Sequence, residues 1–187
     1  MNEKINIVNQ QIRECFGRVT YSHKTHEKCA DIYIEKLNRV KNWQIILSAL
    51  TTGTVLADLF NLLGLDLIGG VFAAIFAIAL LALNTYSKSY NLGELVQKHR
   101  DTAIAIWKIR EDYFSLLVDI EAEVLSLEQI VFKRGELQQA LESVYVSAPP
   151  TFKEAYKRAQ KALQLEEELT FSDKEIDQFL PKNLRKG

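Results

Sequence analysis

The sequence predicts an all-α membrane protein with a two-helix transmembrane hairpin, long cytoplasmic helices and short C-terminal helices. Residues 43–83 form one apolar segment whose only charges are Asp58 and Asp66. A heptad pattern follows this segment, which is typical of a long packed helix. No proline occurs before Pro149, so residues 1–148 contain no proline that would break a helix.

The predicted organisation has three parts. Residues 1–42 are N-terminal helices, the last of which starts after Gly17 and continues into the first span. Residues 43–83 are the hairpin, and residues 84–187 are a cytoplasmic helical region with a break near 148–150. After that break, capping-box spacing predicts one helix from Thr151 to about Leu169 and another after Ser172.

The apolar segment is long enough for two membrane spans. Its halves, residues 43–59 and 67–83, are each 17 residues long and are separated by a loop at residues 61–66. Basic residues precede and follow the hairpin and are absent from the loop, so both termini are expected in the cytoplasm. The alternative is a soluble helical hairpin buried inside a globular fold, for which the rest of the chain is short.

A row of polar residues follows one side of the first span. Gln44, Ser48, Thr51 and Asp58 lie at helical spacing, so they share a face. In hydrocarbon such a face lines a water-filled path or forms hydrogen bonds across a helix interface. The alternative places Asp58 at headgroup depth, with the hydroxyls bonded to their own backbone.

Small residues in the second span allow close helix packing. They lie four positions apart in two rows, which is the pattern of helix association in membranes. We therefore expect self-association, and hence a homo-oligomer, through Gly69, Ala73 and Ala77 and through Gly70 and Ala74.

The heptad after Asn84 runs in phase from Leu92 to Val131 and predicts one long helix. Two polar residues, His99 and Arg110, fall on its cytoplasmic seam. Polar seam residues often fix register or oligomeric state. The alternative is that His99 and Arg110 contact a ligand or partner that controls opening.

The sequence lacks the residue patterns of common catalytic sites. It has no phosphate-binding glycine loop, no nucleophile elbow and no zinc-protease motif. His23, His26 and Cys29 lie at helical spacing, but a fourth zinc ligand is missing. We therefore expect no enzymatic activity, no metal and no cofactor. Since Lys and Arg number 23 and Asp and Glu number 24, direct nucleic acid binding is not expected either.

Several short sequence motifs lie around the predicted hairpin. They are THEKC (25–29) before the first span, QKHR (97–100) and IREDYFSLLVD (109–119) after the second, and TFSDKEID (170–177) with FLP (179–181) at the end. In this order they resemble the SLATT family, bacterial effector domains with two transmembrane helices. The likeness runs from about residue 15 to residue 186.

The resemblance implies a role in antiviral defence at the bacterial inner membrane. Family members are thought to perturb the membrane and cause abortive infection when a sensor detects a phage. That sensor would be a separate protein, such as a cyclic-oligonucleotide synthase or a reverse transcriptase. The resemblance thus predicts an oligomeric, pore-forming membrane effector. The alternative is a membrane-anchored scaffold that recruits a defence enzyme through its cytoplasmic helices.

Overall fold

The computed structural model describes residues 3–59 and 68–186, without the side chains of residues 58, 59 and 68. The described residues form helices and no strand, which confirms the all-α fold class. The helices are α1 (Glu3–Leu59), α2 (Ile68–Tyr90), α3 (Leu92–Glu121), α4 (Leu127–Ser147), α5 (Lys153–Gln164) and α6 (Asp173–Phe179), followed by a 3₁₀ turn (Lys182–Leu184). The predicted loop at residues 61–66 lies outside the described residues.

The chain divides into two compact units. The first unit comprises Met1–Cys29 and His99–Gly187, and the second comprises Ala30–Lys98. The core of the first unit joins α1, α3 and α4. Its buried residues are Ile12, Cys15, Val19, Ile106, Ile109, Tyr113, Leu116, Ile120 and Ile130.

Helix α1 begins well before the predicted start after Gly17. It runs from Glu3 through Gly17 without interruption. A glycine inside a helix costs only about 1 kcal/mol relative to alanine. The burial of Ile12 and Cys15, on the N-terminal side of Gly17, offsets that cost.

The predicted single helix from Leu92 to Val131 is interrupted. Helix α3 ends at Glu121, and a turn with Glu123 at φ 54° separates it from α4. Ser126 caps α4 through a capping box with Gln129, which the sequence analysis missed. The predicted heptad includes Val124, which lies in this turn and not in a helix. Val124 is therefore 65% exposed instead of packed.

The two predicted C-terminal capping boxes have different outcomes. Ser172 and Glu175 form the expected reciprocal hydrogen bonds at the start of α6. Helix α5, however, starts after Phe152 without a side-chain cap, because the N-cap position falls on Phe152 instead of Thr151 and a phenyl ring cannot accept the hydrogen bond. Glu154 accepts a hydrogen bond from Arg158. Helix α5 also ends at Gln164, before the predicted end near Leu169, and it buries a face of alanines. That face consists of Ala155, Ala159 and Ala162.

Candidate functional site

Helix α2 exposes an apolar surface on the second unit. One helical segment of the described residues, Gly69–Glu121, is long and apolar enough to cross a membrane. Its most apolar 18-residue window has a mean hydropathy of 1.8 and contains no buried residue. A core helix of a soluble protein would be mostly buried. The exposed side chains are large: Val71, Phe72, Ile75, Ile78 and Leu81.

The first predicted span coincides with the C-terminal part of α1. This part also exposes large apolar side chains, such as Ile45 and Leu50. Gln44 and three threonines lower its mean hydropathy, and the described residues stop at residue 59, where the predicted span ends. Only the segment that contains α2 therefore meets the criteria for a span among the described helices.

The structure separates the residues of the predicted polar face. Gln44 Nε2 donates a hydrogen bond of 2.8 Å to Asn84 Oδ1 on α2. Thr51 is half-buried and donates 2.7 Å to the carbonyl of Leu47. Ser48 is exposed. The side chain of Asp58 lies outside the described residues. Gln44 thus bonds across the pair, whereas Thr51 bonds to its own backbone.

The small residues of α2 also divide between two surfaces. Gly69 and Ala73 are half-buried, whereas Gly70, Ala74 and Ala77 are exposed. A Cβ placed on Gly70 would meet no atom within 4 Å. The three exposed small residues form a row along α2, and another helix can approach this row closely because their side chains are short.

Two histidines from distant parts of the sequence meet in the first unit. The Nδ1 atoms of His26 on α1 and His99 on α3 are 3.0 Å apart, and both side chains are buried. Burial, with smaller contributions from His99 and His23, lowers the pKa of His26 to about 4. Burial also lowers the pKa of His99. The pair is therefore neutral near pH 7, with one ring donating to the other.

The segment that follows α5 contacts α1 through ion pairs. We call residues 165–172 the C-terminal strap. Glu168 of the strap binds the ammonium groups of Lys24 and Lys28, the latter at 3.0 Å. Lys24 is only 7% exposed and also binds Glu27 at 2.8 Å. Burial lowers the pKa of Lys24, but its hydrogen bonds to Glu168 and Glu27 outweigh burial and leave it raised.

Beside the strap lies a cleft of about 580 Å³ between α1, α3 and α5. Arg110 lines the cleft, and its Nε donates 3.0 Å to the neighbouring Glu111. Tyr21 lines the opposite side, and its hydroxyl accepts 2.6 Å from Gln164 Nε2. Arg110 therefore lies beside the core seam and faces this cleft, whereas His99 lies inside the seam.

The ion pairs of the strap were missed by the sequence analysis. Glu168 and Lys28 are 140 residues apart, and no periodicity links them. His26 and His99 were each singled out for other reasons, as a weak metal ligand and as a seam residue. Among the described residues no group of His, Cys, Asp or Glu has the arrangement of a metal site.

Comparison with protein families identifies the family to which the chain belongs. The model of the SMODS and SLOG-associating 2TM effector domain family 4 matches residues 8–175. No curated protein and no solved structure matches the chain. The matched range includes the apolar helix α2, the histidine pair and the C-terminal strap. The chain therefore belongs to the SLATT family, effector domains that act at the membrane in defence systems.

Proposed function

We propose that the chain is a non-enzymatic effector of a bacterial antiphage system and permeabilises the inner membrane as a homo-oligomer. The observation that carries this proposal is the exposed apolar surface of α2. Such a surface is stable only in lipid or against other apolar helices. In this arrangement the termini lie in the cytoplasm, and a separate sensor protein or its second messenger supplies the trigger.

The strap offers a physical basis for the resting state. It joins the end of α5 to α1 through Glu168, Lys24 and Lys28. A trigger that binds the first unit more tightly when the strap is released would shift the population towards the active state. The adjacent cleft, with Arg110 and Tyr21, is a suitable place for such a contact.

Ser48 is the residue of the polar face that supports a permeation path. It is exposed, so its hydroxyl is accessible to a neighbouring copy. Gly70, Ala74 and Ala77 give α2 the small residues that such packing requires. A ring of serine hydroxyls between subunits would let water and ions pass more readily than leucine side chains would.

A second candidate function is a membrane scaffold that recruits a defence enzyme. The hydrogen bonds of Gln44 and Thr51 favour it, because these polar groups already have partners within one chain. A scaffold needs no polar surface between subunits. The two candidates therefore differ in the role of Ser48.

Membrane potential measured during phage infection separates the two functions. Bacteria would express the chain together with its neighbouring genes and carry a potential-sensitive dye. We expect infection to abolish the potential in cells with the wild type, and Ser48→Leu to preserve it. Ala49→Leu is the matched control, because Ala49 is the next residue and is also exposed. Protection by the wild type with an intact potential would establish the scaffold instead.

A further inference from the structure

Cations and aromatic rings gather at one end of the α1 and α2 pair. The hydrogen bond from Gln44 to Asn84 fixes which residues of the two helices lie at the same level. Trp43 precedes Gln44 and is 57% exposed, and Tyr86 follows Asn84 by two residues and is 43% exposed. Because a helix rises about 1.5 Å per residue, all these groups lie within about 10 Å along the axis.

The aromatic side chains at this level have the character of interfacial anchors. Tyr86 and Tyr90 are one turn apart, and their ring centroids are 4.5 Å apart. Tyr90 is 58% exposed, as is usual for a ring that keeps its hydroxyl in water. Tryptophan and tyrosine concentrate at membrane interfaces because one end of each side chain is apolar and the other is polar.

The charges at this level are all positive. Between Glu35 and Asp58 the charged residues are Lys36, Arg39 and Lys41, and between residue 68 and Glu94 the only one is Lys88. Arg39, Lys41 and Lys88 are exposed. Lys36 has its ammonium 5.3 Å from the centre of the Tyr33 ring. We define the belt as Arg39, Lys41, Trp43, Tyr86, Lys88 and Tyr90.

We propose that the belt binds the headgroups of anionic phospholipids and gives the protein a preference for anionic over zwitterionic bilayers. The proposal rests on the membrane insertion proposed above. The three cations of the belt are complementary to a surface of net negative charge, and the nearest carboxylates along the chain, Glu35 and Glu94, lie four residues beyond Arg39 and Tyr90. Trp43 and Tyr86 lie between these cations and the apolar side chains of their own helices, where headgroups meet acyl chains, and Tyr90 lies one turn beyond Tyr86.

Tryptophan quenching by brominated lipids tests the proposal directly. The chain has two tryptophans, so Trp107→Phe leaves Trp43 as the reporter inside the belt. The full-length variant would be reconstituted into vesicles that contain equal fractions of brominated phosphatidylglycerol or brominated phosphatidylcholine. We expect phosphatidylglycerol to quench Trp43 with a relative binding constant at least about twofold higher, and high salt to reduce the difference.

A charge-matched comparison assigns the preference to the belt. Arg39→Gln, Lys41→Gln and Lys88→Gln together should bring the relative binding constant to about one. The control replaces three exposed lysines of the first unit by glutamine and should keep the wild-type preference. Those lysines are Lys153, Lys157 and Lys174.

The outcomes distinguish this inference from the proposed function. Quenching by neither lipid would mean that the helix pair is not inserted, which overturns the proposed function as well. Equal quenching by both lipids would keep the insertion and overturn the lipid preference. If the triple-substituted protein keeps the lipid preference, the role of the belt is overturned. The cations of the belt would then be available to bind an acidic protein segment.

Discussion

Lys24 is a buried cation whose partners come from two different elements. Its ammonium binds Glu27 one turn away on α1 and Glu168 on the strap. A buried charge is costly unless it is paired and hydrogen-bonded. Docking of the strap is thus part of what makes burial of Lys24 tolerable, and the strap depends on Lys24 in return.

Glu168→Gln should loosen the strap without unfolding the first unit. The amide keeps the shape but loses the ion pairs with Lys24 and Lys28. We expect a loss of about 1 kcal/mol, because Glu168 is partly exposed and solvent screens part of the interaction. Hydrogen exchange of residues 165–172 should therefore become several-fold faster. Glu166→Gln is the control, since Glu166 pairs with the exposed Lys161 and not with Lys24 or Lys28. Equal effects of the two substitutions would contradict the role of Glu168.

The histidine pair predicts an acid-sensitive first unit. An unfolded histidine has a pKa of 6.5, and folding lowers the pKa of His26 to about 4. Between these values the unfolded chain binds more protons, so stability is complete above pH 6.5 and falls as the pH drops towards 4. For His26 the loss is on the order of 3 kcal/mol. His99 changes in the same direction, and so does His23 beside Glu27 and Lys24.

Thermal unfolding in detergent at pH 7 and pH 5 measures this dependence. The wild type should have a lower Tm at pH 5, and His26→Gln should show a smaller drop between the two pH values. The amide of glutamine can still form a hydrogen bond, but it does not titrate. An unchanged drop in the variant would assign the acid sensitivity to other groups.

At the scale of elements, α3 shows how far a heptad can be read from sequence. The predicted positions His99, Ala103 and Ile106 are buried. Further along, the core takes Ile109 and Leu116 instead of the predicted Arg110 and Leu117. Tyr113 and Ile120 remain buried as predicted, so the shift of one residue towards the N-terminus is confined to the positions between Ile106, Tyr113 and Ile120.

Adjacent leucines test this shift in register. Leu116 is 2% exposed, whereas Leu117 is only partly buried against the same core. We expect Leu116→Ala to cost about 2 to 5 kcal/mol and Leu117→Ala less than about half as much. Chemical denaturation of the purified chain would compare the two. A larger cost at Leu117 would restore the strict heptad.

Local signals in the sequence predicted helices and the cap at Ser172, because both depend on residues close together in the chain. The turn after Glu121 was missed because Val124, Leu127 and Val131 happen to continue the apolar spacing across it. The strap and the histidine pair were missed for a different reason. They join residues far apart in sequence, and only the packing of α1 against α3 and α5 brings them into contact.

For the whole molecule, cysteine labelling tests the predicted topology. The native Cys15 and Cys29 are buried, and burial raises the pKa of Cys29 to about 11, so both should react slowly. A cysteine at Lys88 or Lys161 should react from the cytoplasmic side, and one at Gly64 from the periplasmic side. The unsubstituted chain gives the background. Labelling of Gly64→Cys from the cytoplasm would exclude the hairpin.

The threonines of α1 affect how easily this helix bends. All five donate to carbonyls one turn earlier, and three of them stand close together around Gly53: Thr51 donates to Leu47, Thr52 to Ser48 and Thr54 to Leu50. A carbonyl that already accepts a hydroxyl loses less when its amide hydrogen bond lengthens, so such turns bend readily. The middle of the first predicted span therefore has the properties of a hinge, and the span can change its curvature while its backbone carbonyls remain hydrogen-bonded.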